Sequence, residues 1–134
     1  MANALYPLWK QEVIKGTANT SLTGTLKVAL VDTGTYTYSA SHQFYSSVSG
    51  VAGTPETLGT KTYVNGVLDA ADVTFTAVSN GAVTVEALIL YIDTGSPATS
   101  PLVAYMDTGI TNMPAVPNGG DITVTWNASG IFAL

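Results

Sequence analysis

The sequence predicts a mainly β domain, an antiparallel β-sandwich of jelly-roll type with one α-helix in front, and three observations predict it. Several short segments alternate apolar side chains with hydroxyl or charged ones, the period-two pattern of a strand with one buried face. Compact turn signals, Asn65-Gly66, Asn80-Gly81 and three copies of Asp-Thr-Gly, fall between those segments. A helical period is clear in one stretch only, near the start.

That helix is expected over 4–15, where Leu5, Leu8, Trp9 and Val13 share one face. Asn3 is placed to cap it, Pro7 falls in its first turn, and Gly16 is a natural stop. Thr17–Thr25 follows as a loop. Half-buried strands are expected where Leu26, Val28 and Leu30, then Val73, Phe75 and Ala77, then Ile122, Val124 and Trp126 alternate with polar neighbours. Ala82–Asp93 has little alternation apart from Glu86 and reads as a central strand covered on both faces. Shorter strands are expected at Lys61–Val64, Val67–Asp69, Leu102–Met106 and Ile131–Leu134, and a short helix holding His42 and Phe44 over Ser39–Ser47. Gly50–Gly59 and Met113–Gly120 read as Pro/Gly loops. Nothing in 1–134 resembles a linker, so one domain is expected.

Composition narrows function. Charged residues make up 10% of the chain, against about 25% in an average domain. The surface must then be largely neutral hydroxyl and amide, which is cheap to desolvate on assembly. The basic residues are Lys10, Lys15, Lys27 and Lys61, there is no arginine, and the net charge is −5. Such a chain is poorly suited to phosphate neutralisation, so no nucleic-acid partner is expected. Without cysteine, thiol catalysis, cysteine-based zinc sites and iron–sulfur clusters are excluded. The start, Met1–Lys15, lacks a signal-peptide pattern, and no run is long enough to span a membrane; a soluble protein made in the cytoplasm is expected.

The motifs that suggest chemistry have plainer readings. Asp32–Gly34, Asp93–Gly95 and Asp107–Gly109 share the active-site tripeptide of aspartic proteases, in which two carboxylates hold one proton. That family continues with a small Ala or Ser, whereas Thr35 and Ile110 follow two of the copies and only Ser96 fits. Turn chemistry accounts for all three: Asp and Thr bond the local backbone and Gly supplies positive φ. Asp69, Asp72 and Glu86 as a glycosidase pair, and Asp93, Asp107 and Asp121 as a calcium site, lack the accompanying sugar subsite and calcium-loop register. His42 has no partner at triad-like spacing. No catalytic residue, cofactor or metal is therefore expected.

Four segments carry a resemblance. The opening Met1–Pro7, Leu26–Ser39, the central Asn65–Phe75 and Pro117–Trp126 resemble a family of small structural proteins encoded by tailed bacteriophages. The resemblance implies a place in the virion and no catalytic residues. Within that setting the expected role is a capsid decoration or cement protein on the outer shell, bridging subunits of the major capsid protein as a dimer or trimer. A tail, baseplate or head-fibre component that binds a receptor or glycan is the alternative. Apolar burial and β-augmentation at strand edges would hold it in place. The contact candidates are Leu5, Leu8 and Trp9 of the helix with Tyr36, Tyr38 and Tyr45, since Tyr and Trp bury much area at low entropy cost. Leu8 and Trp9 equally fit a second role, docking the helix on its own sheet.

Overall fold

The computed structural model describes residues 3–79 and 83–134. They form a mainly β fold with a five-stranded antiparallel sheet, two short two-stranded ribbons and one α-helix. In chain order the elements are β1 Ala4–Leu5, α1 Pro7–Lys15, β2 Leu26–Val31, β3 Val51–Thr57, β4 Val67–Leu68, β5 Val73–Phe75, β6 Ala87–Ile92, β7 Leu102–Met106, β8 Ile122–Val124 and β9 Phe132–Ala133. The sheet runs β1-β7-β6-β2-β3; β4 pairs with β9 and β5 with β8.

The apolar run over Ala87–Ile92 lies at the centre of the sheet, buried along its whole length as the sequence requires. Its expected start, Ala82, and the Asn80-Gly81 turn lie outside the described residues. β2 pairs with β6 from Leu26↔Ile92 to Val31↔Ala87. Leu26, Val28 and Leu30 therefore share a face with Ile92, Leu90 and Leu88, while Ala29 and Val31 lie with Ile89 and Ala87 on the other. β2 was expected to be half-buried. Only Lys27 escapes full burial, because β2 sits between β6 and β3 and both its faces are covered.

The helix starts later than the periodicity predicts. Ala4 and Leu5 extend as β1 opposite Tyr105 and Ala104, and Pro7 opens α1. Tyr6 is the cap residue and makes no side-chain capping bond; Asn3 instead takes the Asp107 and Thr108 backbone N–H groups on its Oδ1 (2.7 and 3.0 Å). Gly16 ends the helix in the left-handed conformation with its N–H on the Val13 carbonyl, as expected.

The largest departure is β3, a strand where a Pro/Gly loop was expected. Val51 and Ala52 pair with Val31 and Leu30, and Glu56 and Thr57 with Val28 and Lys27. Between them Gly53 (φ 67°), Thr54 and Pro55 bulge away opposite Ala29 alone. An outer strand tolerates a proline that donates no ladder bond. Lys61–Val64 contributes only the Thr62↔Asp69 bridge, and Val64–Gly66 is a tight 3₁₀ turn with Asn65 and Gly66 at positive φ, so the Asn-Gly turn stands while the strand before it does not. β5 keeps its alternation but ends at Phe75, where Ala77 turns at φ 50°, and β8 ends at Val124, short of Trp126. Ser39–Ser47 is a turn leading to a single 3₁₀ turn at Tyr45–Ser47, not a helix. Among the described residues no helix is long and apolar enough to cross a membrane.

Candidate functional site

The segment 32–50 folds back over the face of the sheet that carries Ile89 and Tyr105, and there it meets the first residues of the chain. The Tyr6 and Tyr36 hydroxyls lie 2.8 Å apart, and the Tyr36 hydroxyl is also 2.8 Å from His42 Nδ1. Tyr38 packs between Tyr6 and Tyr105, with ring centroids 5.0 and 5.6 Å away. Tyr45 stacks on Tyr91 at 3.9 Å with the planes 9° apart. Burial pushes the Tyr6, Tyr36, Tyr45 and Tyr91 phenols upward, most strongly Tyr6, whose side chain is fully enclosed. Burial, then the neighbouring Asp107, raises Tyr105 to about 12. These phenols are neutral hydrogen-bonding groups at physiological pH, suited to fixing the segment and not to proton transfer.

Of the six contact candidates, Trp9 and Tyr36 lie inside the fold at 2% exposure each. Trp9 docks the helix: its indole N–H donates to the Thr20 carbonyl at 3.0 Å and its ring meets Phe132 edge-on. Leu5, Leu8, Tyr38 and Tyr45 are half-buried. Leu8 and Trp9 line a small cleft of about 90 Å³ together with Glu12, Gln43, Phe44 and Pro101. Leu5 belongs to a different, shallow cleft of about 130 Å³ beside Ile131 and Phe132. The candidates therefore do not form one patch. Among the described residues, the large apolar side chains that face solvent are Ile14, Tyr63, Val64, Val116 and Leu134. Val64 and Leu134 lie at the tip of the β4–β9 ribbon, by the turn that leads into β4, where the Leu134 N–H donates to the Gly66 carbonyl, while the adjacent Tyr63 hydroxyl donates to the Leu22 carbonyl. Sequence periodicity misses that tip because its residues come from a turn and from the last position. The sheet borders are also poor templates for β-augmentation, since β1 is two residues long and β3 carries Pro55 in its bulge.

In two of the three Asp-Thr-Gly copies the carboxylate acts as turn chemistry. Asp32 Oδ1 takes the Gly34 N–H at 2.8 Å and Asp93 Oδ1 the Gly95 N–H at 2.9 Å. Asp93 also pairs with Lys27 at 3.0 Å, and the backbone bond followed by this cation holds it below the usual carboxylate range. In the third Asp-Thr-Gly copy Asn3 supplies the backbone bonds and Gly109 sits at φ 72°. Asp69, Asp72 and Asp121 accept the backbone N–H of Ala70, Trp126 and Ala77 respectively. Glu86 accepts the Thr33 hydroxyl on Oε2, while its buried Oε1 has no partner. Among the described residues no three His, Asp or Glu side chains converge as a metal site would require. The sequence matches no protein-family model, and no curated protein matches it significantly.

Proposed function

We propose that the chain is a structural protein of a tailed-bacteriophage particle, a decoration or cement protein that seats on the outer capsid and bridges subunits of the major capsid protein. The observation that carries this reading is the use of the acidic side chains. Asp32, Asp69 and Asp93 each hold a local backbone N–H, and Asp72 and Asp121 each hold one from a distant segment, which supports a scaffold with no chemistry of its own. We also infer that the β4–β9 and β5–β8 ribbons form the second layer of a jelly-roll-type sandwich; the burial of both faces of β6 and β7 supports that arrangement.

Attachment would draw on apolar burial, worth about 25 cal/mol per Å², at exposed side chains such as Val64 and Leu134. A dimer or trimer engaging a symmetric lattice would multiply modest single contacts into firm binding. Nucleic acid and membrane have no part in this reading, and no cofactor enters it. Phage lacking the gene should assemble heads that lose DNA on heating or on chelation earlier than wild type, and antibody-gold against the protein should label the head. Heads of undiminished resistance, or label on the tail, would overturn the proposal.

A further inference from the structure

We infer that Asn65 is a site of spontaneous modification, deamidating through a cyclic imide, and that the fold protects Asn118 from the same reaction although glycine follows both. The Gly66 nitrogen attacks Asn65 Cγ, giving up its proton to solvent base as the N–Cγ bond forms and ammonia leaves. Water then opens the imide at either carbonyl, giving aspartate or isoaspartate. Glycine after the asparagine favours this because no Cβ hinders the approach and the backbone rotates freely.

Sequence gives the two sites equal standing; their surroundings do not. Gly119 donates its N–H to the Val78 carbonyl at 2.6 Å, and Val78 returns its own N–H to the Gly120 carbonyl at 3.0 Å. Asn118 Oδ1 accepts the Gly120 N–H at 2.9 Å, which aims the amide oxygen away from the preceding nitrogen. Three hydrogen bonds, two of them to a residue forty positions earlier in the chain, must open before the Gly119 nitrogen can turn toward Cγ. Asn65 stands on an exposed single turn at φ 55°, and its side chain makes no hydrogen bond. The tie that reaches the turn from elsewhere, Leu134 N–H on the Gly66 carbonyl, holds the far side of the glycine. Opening this turn is a local event, whereas freeing Gly119 disturbs the contact with Val78, so the rates should differ by roughly tenfold or more. Either product would place a new negative charge, and isoaspartate an extra backbone methylene as well, beside the exposed Val64 and Leu134.

The test is to incubate the intact chain in mildly alkaline buffer and follow its peptides by mass spectrometry, with isoaspartate read separately. The Asn65 peptide should convert at least roughly tenfold faster than the Asn118 peptide in the folded chain. In denaturant the two should converge, since each is then an unhindered Asn-Gly pair. Equal rates in the folded chain, faster conversion at Asn118, or a difference that persists in denaturant would each overturn the inference. Gly66→Ala should slow the reaction at Asn65 without altering Asn118.

Discussion

Replacing Tyr36 with phenylalanine removes one oxygen atom, and its cost follows from what that oxygen serves. Tyr6 is fully enclosed, and the Tyr36 hydroxyl 2.8 Å away is its hydrogen-bond partner. In Tyr36→Phe the Tyr6 hydroxyl stays buried with nothing to bond, and a buried polar group left unpaired costs about 1–3 kcal/mol. His42 Nδ1 loses the same partner, but His42 is only half-buried and water can replace it. The reverse change, Tyr6→Phe, leaves Tyr36 still bonded to His42, so its loss should be near the net worth of one hydrogen bond, about 1 kcal/mol. In the double variant no hydroxyl is orphaned. Its loss should fall short of the sum of the singles by about 1 kcal/mol or more. Urea unfolding followed by circular dichroism measures all four proteins, with an unchanged slope as the check that the unfolded state is the same. Additive losses, or a Tyr36→Phe variant no weaker than Tyr6→Phe, would refute the reasoning.

Two further predictions concern alkali and a single glycine. Burial raises the Tyr6 and Tyr91 phenols above their ordinary value of 10.0, and Tyr105 to about 12, so the unfolded chain releases these protons at a lower pH than the folded one. The stability they contribute is complete below pH 10 and declines as pH rises past it; in a spectrophotometric titration these phenols should ionise only as circular dichroism reports unfolding. Gly130 sits at φ 107°, and a Cβ there would lie 2.3 Å from Val67 Cγ1 and 3.1 Å from the Leu68 carbonyl oxygen, so Gly130→Ala should cost at least about 1–3 kcal/mol and speed amide exchange at Ile131 and Leu134. Gly59→Ala, where a Cβ meets nothing within 4 Å, is the control and should leave both measurements near wild type.

The parts of the fold legible in the sequence are those whose signal is local. The apolar runs over β6 and β7 are long enough to demand burial by themselves, and Asp-Thr-Gly marks turns because Asp and Gly act within two residues of each other. β3 is hidden because Gly53 and Pro55 erase strand propensity at the very residues that leave the ladder. β1 is hidden because the helical spacing of Leu5, Leu8 and Trp9 extends backwards over two residues whose partners, Tyr105 and Ala104, lie at the far end of the chain. The tyrosine cluster is illegible for the same reason. Tyr6, Tyr36 and Tyr105 have no sequence relation that marks them as neighbours: the β1–β7 pairing brings Tyr6 to Tyr105, and the return of the 32–50 segment across the sheet adds Tyr36.

The proline-bearing bulge of β3 has a consequence beyond pairing. Two such sheets meeting border to border would find a missing donor and a backbone bent out of line where their amides should zip together. With the opposite border only two residues long, edge-to-edge growth of the five-stranded sheet is disfavoured at both its borders.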